Sequence, residues 1–215
     1  MSVCPLINIK ASCGTVCLPD GCPLKAAIFP IMRPPSEFGK FTDPRDGRTY
    51  RTVKIGRQTW MAENLAFDYK GSVAYRKEYS NKNIYGLLYE WEMAKKAVPP
   101  GWHLPSDAEW DELVKFAGGS STAGRKLKAA SGWSGNGNGT DEYGFSALPG
   151  GIGYSDGSFD DVGYYGHWWS ASEINSNRAY LRDMYYGDDY AYWSSNDKSY
   201  LQSVRCVQVR GGIKT

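Results

Sequence analysis

The alternation of apolar and polar positions predicts a β-hairpin near the start of the folded part of the chain. Asp46 and Gly47 form a pair that strongly favours a tight turn. Residues 49–55 then alternate apolar and polar side chains, as a half-buried strand does. Gly56 begins a second turn, and 58–61 follows as a partner strand. The pattern therefore predicts two antiparallel strands.

Helical spacing first occurs at residues 85–96. Leu88 and Trp91 follow one face of a helix, with Leu87 and Ala94 beside them. A Pro-Pro-Gly tripeptide comes shortly afterwards and would end the helix. The pattern predicts a helix over this whole segment.

The strongest local signal lies at residues 106–116. Ser106 is followed three residues later by Glu109, which is the signature of a capping box. Trp110 and Leu113 then recur at helical spacing, so they are predicted to face a core. Two glycines after this segment end the helix.

Helical spacing disappears from residue 131 onwards. Residues 132–139 contain four glycines and read as a loop. Short apolar runs follow and suit antiparallel strands, at 145–148, 167–171, 179–181 and 203–207. The sequence therefore predicts an α+β fold, with two helices packed on small twisted antiparallel sheets and long loops between them.

Composition divides the chain into a leader (1–37), a folded domain (38–210) and a tail (211–215). The leader is rich in Cys and Pro and is predicted to be poorly ordered. It holds four of the five cysteines, Cys4, Cys13, Cys17 and Cys22. Their spacing suits two small disulfides, a metal knot or unpaired thiols, but it lacks the paired Cys-x-x-Cys units of a zinc ribbon.

The charge balance narrows the partner classes. The chain has 25 basic and 23 acidic residues, a net charge of +2, which argues against a nucleic-acid partner.

No apolar run approaches the roughly 20 residues that a membrane span needs, so no transmembrane segment is expected. The first residues do not resemble a secretion signal. The protein is therefore cytoplasmic, or its export signal lies outside this sequence.

Tyrosines are concentrated in residues 158–200. This segment holds eight of the 16 tyrosines and three of the eight tryptophans, and its seven acids and three bases give a net charge of −4. A buried core does not favour so many hydroxyl groups, because each one needs a hydrogen-bond partner, whereas a binding surface can use them for contact with a ligand. The tryptophans of the ordered motifs are instead predicted to be core residues: Trp60, Trp91, Trp102, Trp110 and Trp168.

We therefore predict that this tyrosine-rich segment binds a ligand. The candidate ligand-binding residues are Tyr164, Tyr165, His167, Asn175, Asn177, Arg178, Tyr180, Tyr185, Tyr186, Asp188, Asp189, Tyr190, Tyr192, Trp193 and Asn196. Among them, Tyr185, Tyr186, Tyr190, Tyr192 and Trp193 are the strongest candidates. Alternation places Tyr190 and Tyr192 on one side of a strand.

Signals for catalysis or metal binding are weaker. His103 is expected to have a packing role and His167 a role at the rim of the binding surface, because no nucleophile motif frames either histidine. No catalytic residue is assigned, and no cofactor is expected. Calcium is the one ion that the loop oxygens suit, but their spacing matches no known calcium loop. The oxygens come from Asp160, Asp161, Glu173, Asn175, Asp188, Asp189, Asn196 and Asp197.

Six phrases of the sequence, taken in order, resemble the Fibrobacter succinogenes major paralogous domain. The resemblance covers residues 41–209. The phrases are FTDPRDG (41–47), QTWMAENL (58–65), GWHLPSDAEW (101–110), DEYGFSALPGG (141–151), WWSASE (168–173) and SVRCV (203–207).

The resemblance implies a C-type-lectin-like fold, close to that of formylglycine-generating enzymes. Members of the family are typically exported surface proteins, often lipoproteins, so it also implies an extracellular or cell-surface location. Separately from the resemblance, we expect a monomer. Proteins diversified by retroelements share the fold and a similar Trp-Trp-Ser-Ala-Ser segment. Their variable, ligand-facing side chains would correspond to residues 174–202 here.

The resemblance also implies a disulfide that this chain lacks. The family cysteine expected to pair with Cys206 is replaced by Val98. Cys206 is therefore expected to be a free buried thiol, with pairing to a leader cysteine as the alternative.

Three functions follow as hypotheses. The first is a non-catalytic binding or adhesion domain that holds a protein or carbohydrate on its aromatic, acidic C-terminal loops. The second is an enzyme that acts on carbohydrates, or an oxidase of the formylglycine-generating type; the oxidase needs paired cysteines, and the domain has only Cys206. The third is a structural surface module that binds nothing.

Overall fold

The N-terminal hairpin forms as its turn residues predict. In the computed structural model, which describes residues 37–209, strands β2 (Thr49–Ile55) and β3 (Gln58–Met61) pair antiparallel. Gly56 occupies the turn with φ of +61°, a conformation that L side chains rarely adopt. A further strand, β1 (Glu37–Thr42), pairs with β2 across the Asp-Gly turn. The leader cysteines and the tail lie outside the described residues.

The described residues contain four α-helices and twelve strands, which confirms the α+β class. The helices are α1 (Tyr79–Tyr85), α2 (Trp91–Ala97), α3 (Asp107–Phe116) and α4 (Ser120–Leu127). The remaining strands are β4 (Leu88–Tyr89), β5 (Trp102–His103), β6 (Gly150–Gly153), β7 (Phe159–Val162), β8 (Tyr165–Glu173), β9 (Arg178–Tyr185), β10 (Ala191–Asp197), β11 (Gln202–Ser203) and β12 (Val207–Gln208). None of the helices in this part of the chain is long and apolar enough to span a membrane.

The strands form two sheets. The first has five strands in the order β1-β2-β3-β12-β5, so the last strand lies against the N-terminal hairpin. The second has seven strands, with β10-β9-β8-β11-β4 along its main path and β6 and β7 at its side. Strand β10 is therefore at an edge of the second sheet, and β8 is near its centre.

Strand β8 separates two apolar cores. Trp168 packs into one core with Trp60 and Trp110, and Trp169 packs into the other with Trp91. Adjacent strand residues point to opposite faces, so one Trp-Trp pair fills both cores. All five tryptophans predicted to be core residues are buried.

Asn64 joins the hairpin to two distant parts of the chain. Its side-chain oxygen accepts hydrogen bonds from Trp168 Nε1 at 2.8 Å and from Arg205 Nε at 3.0 Å and Nη2 at 2.7 Å. Its amide donates to the Tyr85 carbonyl at 2.9 Å and to Ser203 Oγ at 3.3 Å. The side chain is buried and uses both its donor and its acceptor capacity.

Helix α3 forms as predicted. Glu109 N–H donates to Ser106 Oγ at 3.3 Å, and the Glu109 carboxylate accepts from the Ser106 N–H at 2.9 Å, so the capping box is complete. His103 Nε2 lies 2.8 Å from the other Glu109 oxygen, which gives this histidine the structural role expected of it. These hydrogen bonds hold the pKa of Glu109 below its ordinary value, although burial opposes them.

The prediction of one helix over 85–96 is wrong. Gly86 has φ of +78° and separates α1 from the two-residue strand β4, and α2 begins only at Trp91. Leu88 is buried because it pairs with Ser203 in the second sheet. An apolar run this short fits either a helix or a strand, and the pairing decided the outcome.

Other parts of the sequence prediction were incomplete. Helix α4 was not predicted, because its few apolar residues follow a double glycine. Strands β6 and β7 were not predicted either. The run 145–148, predicted as a strand, contributes only an isolated bridge between Ala147 and Lys128.

Ser106→Ala should lower the free energy of unfolding by about 1 kcal/mol, because the first turn of α3 loses its side-chain cap. Urea denaturation measures the change. Ser155→Ala, at an exposed turn position, is the matched control and should have little effect. Equal unfolding midpoints for the two variants would contradict a stabilising role for the cap.

Candidate functional site

The tyrosines of residues 158–200 all lie at the surface. None of the eight is buried; Tyr164, Tyr190 and Tyr192 are exposed, and the other five are partly exposed. Four tyrosines elsewhere in the described chain are buried: Tyr50, Tyr75, Tyr89 and Tyr143. The concentration of tyrosine in this segment therefore belongs to the surface and not to the core.

Strand register brings four of these rings together on one face of the second sheet. Tyr165 on β8 pairs with Tyr185 on β9, and their ring centroids are 4.5 Å apart. Tyr192 on β10 points to the same face, since its partner Asp183 is two residues from Tyr185. The rings of Tyr190 and Tyr192 stack at 5.1 Å and 9°, which confirms that they share one side. We call these four residues (Tyr165, Tyr185, Tyr190 and Tyr192) the tyrosine face.

Tyr164 and Tyr186 extend the tyrosine face around its end. Their rings meet edge to face with centroids 5.2 Å apart. The Tyr186 ring also lies 4.6 Å from that of Tyr185. Tyr164, Tyr186, Tyr185 and Tyr165 therefore form one continuous chain of ring contacts, and Tyr190 and Tyr192 form a stacked pair beside it.

Trp193 and Tyr180 lie on the opposite face of the same strands. Their ring centroids are 6.1 Å apart, and Trp193 pairs in register with Arg182. Arg182 is buried and forms ion pairs with Asp107 at 3.2 Å and Asp111 at 2.7 Å on α3. The strongest candidates predicted from the sequence therefore do not form one surface: Trp193 is 65% exposed but points away from the tyrosine face.

The remaining candidates lie at the other end of the β8–β9 hairpin. Asn175 Oδ1 accepts hydrogen bonds from the N–H groups of Asn177 and Arg178, both at 2.9 Å, and so shapes the turn. Strand β9 runs from Arg178 to Tyr185, and eight strand residues span roughly 23 Å. Asn196 pairs with Ala179 near this same end. These polar residues are not brought together with the tyrosine face.

A buried lysine holds the turn between β9 and β10. Lys128 Nζ donates to the main-chain carbonyls of Tyr185 at 3.1 Å and Asp188 at 2.7 Å. Burial lowers the pKa of Lys128, although Asp189 and Asp188 oppose the shift. The sequence analysis missed this residue, and no local signal could have revealed it, since its partners are 57 and 60 residues away.

Glycines let the neighbouring segments approach the same turn. A Cβ at Gly137 would collide with the main-chain oxygen of Tyr186, and one at Gly124 on α4 would collide with that of Tyr190. The Arg125 N–H also donates to the Asp189 carbonyl at 3.2 Å. The glycine-rich loop thus supports the tyrosine face, because only residues without a side chain fit at these contacts.

His167 lies beneath the tyrosine face and not at its rim, contrary to expectation. It is buried, its ring stacks on Tyr165 at 5.3 Å and 8°, and its two nitrogens face Asp161 at 3.5 Å and Asp183 at 3.6 Å. Burial alone would lower the pKa of His167, but the two carboxylates outweigh burial and raise it. The carboxylates favour the protonated form of the ring, because that form balances two acids that would otherwise repel each other.

The phenol groups of Tyr185 and Tyr192 keep their protons at neutral pH. Tyr192 donates its hydroxyl to Asp188 at 2.9 Å, and this bond raises the pKa of Tyr192 to about 12. The neighbouring Tyr186 hydroxyl raises the pKa of Tyr185 to about 12. Asp188 also accepts from the Tyr190 N–H at 2.9 Å, so one carboxylate orders both stacked residues.

The oxygens considered for calcium are dispersed. Glu173 bonds Lys198, Asp197 accepts from Ser199 at 2.9 Å, and Asp161 faces His167. Within residues 37–209, no three His, Cys, Asp or Glu side chains are arranged to hold a metal ion. The expectation about calcium stays a prediction.

Cys206 is a free, fully buried thiol, as expected. Burial raises its pKa well above the ordinary value, so the thiolate form is suppressed. Val98, the residue in place of the expected cysteine partner, packs against the same apolar core. The alternative, a disulfide between Cys206 and a leader cysteine, involves residues outside those described.

Lys128→Met should cost about 1–3 kcal/mol of unfolding free energy, because two buried carbonyls lose their donor. Amide hydrogen exchange should also accelerate in residues 186–190. Lys126→Met removes a lysine paired with Glu142 at the surface and serves as the matched control. Unchanged exchange in the turn would show that Lys128 does not hold it.

His167→Gln should destabilise the fold most at acidic pH. Because the folded pKa of His167 is raised, its ion pairs stabilise the fold below the unfolded value of about 6.5. This contribution is lost as the pH rises through the folded pKa. Urea unfolding of both proteins from about pH 5 to 9 measures the difference. A difference that grows with pH would contradict this assignment.

Comparison with known proteins gives one match. The family model described as Fibrobacter succinogenes major domain matches residues 53–208. No curated protein and no solved structure matches the chain significantly.

Proposed function

This chain belongs to the Fibrobacter succinogenes major domain family, and from that premise we propose that it is a non-catalytic ligand-binding domain. The tyrosine face holds the ligand, which is a protein or a carbohydrate. The observation that carries the proposal is the surface position of all eight tyrosines in residues 158–200. Tyrosine gives a broad contact area at low entropic cost, which suits binding better than folding.

The rigidity of the tyrosine face supports this proposal. Lys128 fixes the turn from one side, and Asp188 orders Tyr190 and Tyr192 from the other. A surface held in place before binding loses less conformational entropy when the ligand arrives. The rings therefore suit direct ligand contact.

A protein ligand with basic side chains fits the electrostatics best. Asp183 lies opposite Tyr192 in the strand register, and Asp188 accepts the Tyr192 hydroxyl, so the tyrosine face places aromatic rings beside carboxylates. Lysine and arginine groups bind aromatic faces and carboxylates together. A carbohydrate ligand would instead stack its sugar rings on Tyr190 and Tyr192.

We extend the proposal to the fold and location that the family resemblance implies. The fold is C-type-lectin-like, and the pairing of the C-terminal strand β12 with β3 of the N-terminal hairpin supports this assignment. The protein works outside the cell or at its surface. Fractionation of cells that produce the full-length natural protein tests the location.

Tyr190→Ala combined with Tyr192→Ala should weaken ligand capture about 30-fold or more, since central aromatic contacts contribute about 2 kcal/mol or more. Protein and glycan arrays serve as the source of ligands. Capture of a basic protein should also weaken as salt rises. Turnover of a polysaccharide or a thiol peptide would instead indicate the enzyme alternative.

Tyr79→Ala is the control, because Tyr79 is 73% exposed on α1 and lies outside the tyrosine face. Both proteins should keep the circular dichroism spectrum of the original. Equal capture by the double variant and the control would exclude the tyrosine face as the ligand site.

A further inference from the structure

A cavity rich in arginine lies away from the tyrosine face. It has a volume of about 380 Å³, within the size range of small-molecule sites. Its walls come from the second strand, from α1 and from the loops near residues 131 and 148. Arg48, Arg51 and Arg205 line it, and Glu63 is the one acid that does so.

The charges of this cavity are not balanced. Glu63 is engaged by Arg51, with Oε1 at 3.1 Å from Nε and Oε2 accepting from the Arg51 N–H at 3.0 Å. Arg48 forms no ion pair with any carboxylate of residues 37–209, and its guanidinium lies 5.6 Å from the Tyr50 ring. The cavity therefore carries an excess of positive charge.

Arg205 adds a buried charge to the inner wall. Its acceptors are all neutral oxygens: Asn64 Oδ1 and the carbonyls of Met61, Phe145 and Ser146. Its hydrogen bonds are satisfied, but no carboxylate of the described residues lies within ion-pair distance; Glu63 and Asp141 act on its charge only at longer range, and burial outweighs them. Burial lowers the pKa of Arg205 to about 9, which reflects the cost of that unbalanced charge.

An anion in the cavity would relieve this imbalance. Arg48 offers a guanidinium that matches the two oxygens of a carboxylate or phosphate. The buried charge of Arg205 would attract the same anion through a low-dielectric wall, where charges act more strongly than in water. Ile84 and Leu148 provide apolar contact for the rest of the ligand.

We propose that this cavity is a binding site for a small anionic molecule that carries a carboxylate or phosphate group. Arg48 makes the direct contact, and Arg205 supplies the attracting charge from behind. The site is separate from the tyrosine face and does not depend on the function proposed for that face.

In the first test, the full chain is titrated with inorganic phosphate and with benzoate, and binding is measured by calorimetry. Titration with sodium chloride at equal ionic strength is the control. We expect saturable binding of at least one probe and no saturation with chloride. Arg48→Gln should weaken binding tenfold or more. Arg57→Gln removes the same charge from a side chain that lies outside this cavity, and it should leave binding unchanged. Equal loss in both variants, or no saturable binding, overturns the proposal.

The second test places an acid at the mouth of the cavity. Ile84→Glu should abolish probe binding, whereas Tyr79→Glu on the same short helix should retain it, and both positions are exposed. Binding by the Ile84 variant equal to that of the original would overturn the proposal. In nuclear magnetic resonance spectra, the Arg205 Nε–H signal should move on titration. A fixed Arg205 signal alongside saturable binding would place the anion elsewhere.

Discussion

The hydrogen bonds of Asn64 are the constraint on which the arrangement of this protein depends. One amide group joins the hairpin motif to Trp168 on β8 and to Arg205 and Ser203 near the end of the chain. All these groups are buried, so a displaced partner would leave donors without their acceptors. The hairpin, the central strand and the C-terminal segment are therefore held in one relative position.

That position decides what the second sheet presents to solvent. Trp168 and Trp169 anchor β8 in both cores, and helix α3 covers one face through the ion pairs of Arg182. The outer part of the other face carries Tyr165, Tyr185 and Tyr192 above the buried His167. A binding surface arises here because the cores use the apolar residues of these strands and leave the tyrosines outside.

Two buried cations organise different segments of the backbone in a similar way. Lys128 binds the carbonyls of the β9–β10 turn, and Arg205 binds those of Met61, Phe145 and Ser146. Both satisfy carbonyls at strand ends and in the irregular backbone next to them. The regions differ in charge: Asp183 and Asp188 lie beside Tyr192 of the tyrosine face, whereas the cavity beside Arg205 is lined by three arginines and one acid. The proposed sites are thus suited to ligands of opposite sign.

The sequence by itself determined the features with local causes. The hairpin depends on turn residues within the segment, the capping box joins Ser106 to a residue three positions away, and the tyrosine content of 158–200 exceeds what a core can use. Only the tertiary structure decided which tyrosines share a face, because strand register places Tyr165 opposite Tyr185 and Tyr192 opposite Asp183. It also buried His167 and gave Lys128 its partners. Those outcomes depend on contacts between distant residues, and no local pattern encodes them.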